Sequence, residues 1–217
     1  MEFIRKKFRN NPILKRRVIA IFAAHVIMGF SIDLLRFSLF GNDPFSCMQL
    51  GFSNEFDLTY GTCVLIFNAF AIIPIFIIDR SFIQFGTLVN MFLTGPVVDI
   101  WYVIMLAIYP DFAFLTFGGR VACLLIGVVI CCYGVSMYMM SNLGMGPYDA
   151  IGWIIEKISK KKIPFKYARI ATDATATFTG FIFGSIVGLG TLIMACGTGP
   201  LVNFFNENIT RPMIYKR

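Results

Sequence analysis

Charge is scarce in this 217-residue chain: 14% of its residues are Asp, Glu, Lys or Arg against 57% hydrophobic, and its mean hydropathy is +0.74. That balance lies far outside the range of a soluble domain. Histidine is all but missing, with His25 the single example, so no His-based metal centre can be assembled and no metal is expected. No two of the six cysteines have C-x-x-C spacing. Cys63, Cys123, Cys131, Cys132 and Cys196 fall in apolar stretches and read as small packing residues, while Cys47 reads as the exposed one, near an outer helix end. Neither H-E-x-x-H nor G-x-S-x-G occurs, so neither an enzyme nor a cofactor is expected.

Long apolar runs are what the chain has in abundance. A helix needs about 20 such residues to cross the hydrocarbon core, and six stretches qualify, at roughly 18–40, 60–78, 84–106, 119–141, 167–187 and 189–206. The expected fold is an all-α polytopic membrane protein of six transmembrane helices. The segment 1–17 is too long and too basic for a cleaved signal peptide, and the first helix is expected to stay in the mature protein.

The net charge of +7 reads as topology, because the basic residues flank apolar spans instead of forming a nucleic-acid-binding face. With the N-terminus inside and six crossings, the inner segments hold Arg5 through Arg17, Arg80, Lys157 through Lys166, and Arg211 through Arg217, 16 of the 19 Lys and Arg. Arg36, Arg120 and Arg169 lie in helices near their ends. The outer loops hold only Asp43, Glu55, Asp57 and Asp111, as the positive-inside rule requires. The expected location is the bacterial plasma (inner) membrane with both termini cytoplasmic.

Self-comparison finds a repeat. Gly86-Thr87-Leu88 and Thr94-Gly95-Pro96 recur as Gly190-Thr191-Leu192 and Thr198-Gly199-Pro200, while Ser38, Gly41 and Pro44 recur as Ser141, Gly144 and Pro147. Residues 18–106 and 119–206 are thus two three-helix halves, between a basic segment 1–17 and a tail 207–217. Three crossings per half make the halves an inverted repeat about an axis in the membrane plane.

Certain elements resemble the YczE/YyaS/YitT group of bacterial membrane proteins: the Gly144-Met145-Gly146-Pro147-Tyr148-Asp149 turn, the Arg169 to Asp173 stretch, Gly188-Leu189-Gly190-Thr191, and Gly86-Thr87-Leu88-Val89-Asn90. The resemblance spans roughly residues 20–206 and implies a membrane protein of this architecture. One departure is that Ser46 stands where the first-half turn should carry the counterpart of Asp149.

Several residues are candidates for function. Gly41 and Gly144 permit sharp turns, and Pro44 and Pro147 open short helices at 44–54 and 147–159. Their N-termini either face a substrate, as broken helices do in transporters, or belong to interfacial helices in which Asp149 stabilises the helix start. The full length of the preceding helices favours the second placement, near the membrane surface. Asp173 is the strongest single candidate, since an ionisable group two turns into a span should face protein or water. Thr172, Thr175 and Thr179 share its helix and form a polar face, and the repeat-related Asn68 is expected to approach it near the pseudo-symmetry axis. The structural alternative pairs Asp173 with Arg169 and turns the threonines onto their own backbone. Asn90 and Thr94 mark the third helix and Thr198 the sixth. Asp33 and Arg36 are spaced to pair, His25 reads as a hydrogen-bonded helix residue, and Gly180, Gly184 and Gly188 read as a packing ridge.

Inverted repeats with broken elements point to a small-solute permease of unstated substrate, with its site between the halves. The alternative is an accessory membrane protein that binds a partner and transports nothing. The expected partners are the lipid bilayer, a small-molecule substrate or coupling ion, and a second copy or membrane partner, with no nucleic acid.

Overall fold

The structure, a computed structural model, describes residues 12–110 and 115–215. Arg5, Lys6, Lys7 and Arg9 of the basic start, Asp111, Lys216 and Arg217 lie outside the described residues. The first half contains α1 (Pro12–Ser38), α2 (Pro44–Phe56), α3 (Tyr60–Ile78), a 3-10 turn (Arg80–Phe82) and α4 (Phe85–Ile108). In the second half stand α5 (Phe117–Ser141), α6 (Pro147–Ile158), α7 (Phe165–Ile182) and α8 (Leu189–Phe205), followed by a π turn (Asn206–Thr210) and α9 (Arg211–Tyr215). Among the described residues there is no strand. Each half therefore runs long helix, short helix, two longer helices.

Local chemistry sets the ends. Pro44 and Pro147 take the first helical position of α2 and α6, where a missing N–H is no loss. Asp43 caps α2 by accepting from the Ser46 amide at 3.1 Å, and Thr59 and Thr116 cap α3 and α5 in the same way. Among the described residues four helices are long and apolar enough to cross a membrane: α1, α3, α4 and α5. Of the other two expected spans, α7 has 18 residues and carries Lys166, Arg169 and Asp173, while α8 has 17. The fifth stretch stops at Ile182, short of the expected 187. Gly184 and Gly188 thus fall in the linker to α8, and only Gly180 of the expected glycine ridge lies on a helix, pressed against Cys47 and Gly51 of α2.

The core is the pairing of α1 with α5, which run antiparallel: Ala20, Ile21 and Ala24 pack with Met137 and Tyr138, while Leu35 packs with Leu124 and Val128. Around this pair the halves exchange reciprocal contacts. The amide of Gly86 donates to the Leu143 carbonyl at 2.7 Å, and that of Gly190 donates to the Phe40 carbonyl at 2.7 Å. Gly41 (φ +97°) lies against the Thr191 hydroxyl, and Gly144 (φ +118°) against that of Thr87. Both φ values are in the region that only glycine enters freely. Each turn docks on the G-T-L segment of the other half.

After each long helix the chain doubles back. The Asn42 side chain donates to the Ile32 carbonyl at 2.9 Å, ten residues earlier, and the Gly146 amide donates to the Tyr138 hydroxyl. As a result α2 and α6 begin inside the protein and their first turns meet, with the Phe45 and Tyr148 rings 4.8 Å apart. The length of the preceding helix therefore does not keep the start of either short helix at the protein surface, because the chain reverses before the proline. Cys47 is likewise buried, at 0% exposure, with its thiol 3.3 Å from the Asn42 carbonyl, and the exposed cysteine is Cys196.

The halves differ at one interface. On α4, Gly95 packs directly on the Gly61 backbone of α3, and Asp99 accepts from the Gly61 amide at 3.0 Å. The repeat-related Gly199 of α8 has no atom within 4 Å of the space a Cβ would fill, and α7 and α8 do not pack as a pair.

Candidate functional site

Where α2 and α6 meet, the second half builds a polar network. Arg169 on α7 donates from Nη1 to Asp149 at 2.8 Å and from Nε to Asp173 at 3.1 Å. Its guanidinium carbon also lies 4.8 Å from the centre of the Tyr148 ring. The Tyr148 hydroxyl donates to the other oxygen of Asp173 at 2.6 Å, and the Tyr138 hydroxyl, which receives the Gly146 amide, reaches Asp149 at 3.5 Å. The ion pair expected between Arg169 and Asp173 is therefore present, but as part of a larger group that ties α5, α6 and α7 to the start of a helix. The first-half turn reaches the same junction through Phe45, whose ring packs on that of Tyr148.

Other candidates are scattered. Thr172, Thr175 and Thr179 each donate at 2.8 Å to the carbonyl four residues earlier, as do Thr94 (2.8 Å) and Thr198. These hydroxyls satisfy their own helices. Asn90 lies against Gly146 and 3.4 Å from His25 Nε2, while His25 Nδ1 faces the Ile21 carbonyl at 2.7 Å. Asn68 does not bond to Asp173; it is 1% exposed, and neither of its side-chain polar atoms has a partner. Gln49, on the buried side of α2, is in the same condition, and so is Asp33. The expected pairing of Asp33 with Arg36 is not formed: the Arg36 guanidinium lies over the Tyr102 ring at 4.0 Å instead. Stacking keeps that long side chain at the helix end.

Tyr138, Tyr148, Phe45 and Gln49 are not among the candidates that the sequence suggested. Phe45 and Tyr148 were discoverable, since each directly follows its turn proline at the repeat offset. Gln49, Asn68 and Asp33 matter because an unbonded polar group sealed from water is costly, about 1–3 kcal/mol or more. Such groups in a native protein call for a ligand, ion or water. A cavity of about 150 Å³ opens near the end of α1, lined by Arg36, Asn42, Asn54 and Ser185 among others. Among the described residues no three His, Cys, Asp or Glu side chains are grouped to hold a metal.

A model of one protein family matches residues 15–207. The chain belongs to the DUF6198 family, a family of unknown function. It is similar to the uncharacterized membrane protein YczE of Bacillus subtilis (strain 168), with 27% identity over 84% of this chain and 82% of YczE. It is equally similar to the uncharacterized protein YyaS of the same organism, 27% identical over 88% of this chain and 92% of YyaS. An uncharacterized protein of Haemophilus influenzae is 25% identical over 85% of this chain and 81% of its own length. No solved structure matches significantly. The kinship agrees with the apolar helices: this DUF6198 chain is a membrane protein.

Away from the junction, one ion pair joins the halves at the helix ends. Lys157, at the end of α6, donates to Asp79, at the end of α3, at 2.6 Å, and the Ser81 hydroxyl donates to the same carboxyl at 2.6 Å. These donors, Lys157 first, hold the Asp79 carboxyl down at about 2.

Proposed function

We propose that this protein is a small-solute permease of the bacterial plasma membrane, built as two inverted three-helix halves with its substrate site where α2 and α6 meet. In this reading both termini are cytoplasmic, α7 and α8 complete six crossings, and the short helices are re-entrant. The observation that carries it is the meeting of two helix N-termini from repeat-related turns, Phe45 against Tyr148, beside the Arg169–Asp173 group. Broken helices whose ends converge between repeats are where transporters hold substrates and ions. The unlike interfaces add support: Gly61–Gly95 is closed, and its counterpart at Gly199 is open. Exchanging those two conditions between halves is what alternating access through an inverted repeat requires.

The test is counterflow in proteoliposomes loaded with metabolite mixtures. Wild-type protein should exchange at least one solute, and Asp173→Asn should abolish the exchange while leaving insertion intact. Failure of every mixture, with folded protein in the vesicles, would remove the permease. An accessory role is the second reading, favoured by the same open face at Gly199, which a helix of a membrane partner could fill. Under that reading Gly199→Leu would abolish co-purification of the partner and no solute would exchange.

A further inference from the structure

We propose that the cavity at the end of α1 is a binding site for a small carboxylate, held at its oxygens by Arg36 and along its carbon chain by an apolar wall. None of the residues of the α2–α6 junction lines it, so the site stands whether or not the protein transports anything. The cavity has a volume of about 150 Å³, enough for a ligand of about benzene's size. Arg36, Asn42, Asn54 and Ser185 supply polar lining, and Leu50 and Ile186 apolar lining; no acid is among the residues that form it. Asn54 is exposed whereas Asn42 is 1% exposed, so the lining reaches from the surface inward to the turn that precedes α2.

Arg36 sets the sign of the ligand. A guanidinium stays charged in proteins, and among the described residues Arg36 forms no ion pair. Its guanidinium carbon lies 4.0 Å from the centre of the Tyr102 ring, which is itself stacked on Phe37 with centroids 5.6 Å apart. Stacking occupies one face of the guanidinium and leaves the N–H donors, which lie in its plane, for an acceptor. Asp33, the nearest acid in sequence, is 0% exposed and lines no part of the cavity. A second arginine without an ion pair among the described residues, Arg120, stands at the same end of the α1–α5 pair, where Phe117 meets Phe40 with centroids 6.0 Å apart; its Nε is buried with no partner. Two such charges repel a cation and attract an anion. A carboxylate suits the place because its two oxygens accept parallel bonds from the guanidinium fork, while Leu50 and Ile186 take a short alkyl chain.

The turn itself does not demand this arginine. The offset of 103 that carries Gly41 to Gly144 carries Arg36 to Met139 and Asn42 to Met145. Met145 packs with Phe82 and Ile83 on the cluster of Ile75, Ala150 and Ile154, so at the matching turn apolar side chains take the place of the polar lining.

The experiment is calorimetric titration of the purified full chain in detergent with sodium propionate, with propionamide, its neutral isostere, and sodium phosphate as controls. Saturable propionate binding is expected, with propionamide giving none and phosphate, which has no carbon chain, binding more weakly. Arg36→Gln removes the charge and should weaken propionate binding by about tenfold or more. Arg36→Lys keeps the charge without the fork and should fall between Arg36→Gln and wild type. Asn54→Leu, at the exposed mouth, should cost about fivefold, the worth of one neutral hydrogen bond. Lys157→Gln, which removes a positive charge at the position matching Asn54, should bind as wild type does. Unchanged affinity in folded Arg36→Gln, or in Arg36→Lys and Asn54→Leu if Arg36→Gln does not fold, overturns the proposal. So does propionamide binding as well as propionate, phosphate binding in place of propionate, or no propionate binding by folded wild-type protein. The assay needs no translocation, so propionate binding without solute exchange removes the permease and keeps the carboxylate site, and exchange without propionate binding does the reverse.

Discussion

Removing one carboxylate from the Arg169 group should be tolerable, and removing both should not. Asp173 accepts two bonds, from Tyr148 at 2.6 Å and Arg169 at 3.1 Å, while Asp149 accepts from Arg169 at 2.8 Å. In Asp173→Asn the amide oxygen can keep one of the two bonds, and Arg169 retains Asp149. The loss is then about one charge-assisted hydrogen bond, some 1.5–3 kcal/mol. Asp149→Asn loses about as much or less, since its second contact is the long one to Tyr138. The double variant leaves Arg169 without an anion among Tyr148, α6 and α7. Stranding a largely buried charge costs 3–5 kcal/mol beyond what either single change removes, although the 32% exposure of the Arg169 side chain places the value toward the lower end. Unfolding of the three variants in mixed micelles gives the cycle directly, and groups in one network should deviate from additivity by more than about 1 kcal/mol. If the double variant equals the sum of the singles to within about 0.5 kcal/mol, Arg169 does not depend on the two acids jointly and the network described above is wrong. Arg169→Gln added to Asp173→Asn should not restore stability, because Asp149 then loses its partner.

Three further outcomes are expected. Gly190→Ala would bring a Cβ to 2.6 Å from the Gly41 carbonyl oxygen and 2.9 Å from that of Phe40; it should lower the melting temperature sharply, while Gly199→Ala, with open space around it, should leave it unchanged in a thermal scan. The Asp79 carboxyl is held at about 2, below its ordinary value near 3.9. Its pairing therefore stabilises the fold fully above about pH 4 and is lost as pH falls through about 2. Asp79→Asn should thus be less stable than wild type at pH 7 and converge with it at the acid end of a pH series. Phe45→Cys with Tyr148→Cys should cross-link under mild oxidation in membranes, as adjacent first turns require, whereas Phe45→Cys with Ile158→Cys should not.

The long helices were legible because apolar run length is a one-dimensional signal, and α1, α3, α4 and α5 fall close to the stretches that suggest them. The docking glycines were legible because glycine and proline are pinned by backbone geometry: Gly41, Gly144, Gly86 and Gly190 stand where close docking tolerates nothing larger. What the sequence concealed was the direction the chain takes after each long helix. The reversals rest on Asn42 reaching Ile32 and on Gly146 reaching Tyr138, bonds that leave no periodic trace. The Arg169–Asp173 pair was visible from its four-residue spacing, but Asp149 and the two tyrosines join it only through tertiary structure. Asn68 was singled out for its intramembrane polarity; that it stands buried and unbonded is set by tertiary packing, which no reading of α3 alone reveals.

The inverted arrangement of the halves is the claim on which the site depends, and two-sided thiol labelling tests it most directly. Glu55→Cys, at the end of α2, and Lys161→Cys, just beyond α6, are placed singly in a Cys196→Ser background and exposed to an impermeant maleimide in intact cells and then in inverted vesicles. The account predicts that Glu55→Cys is labelled only in intact cells and Lys161→Cys only in inverted vesicles. Labelling of both from the same side would contradict it, because the two short helices would then enter from one face and their N-termini could not converge from opposite sides of the membrane.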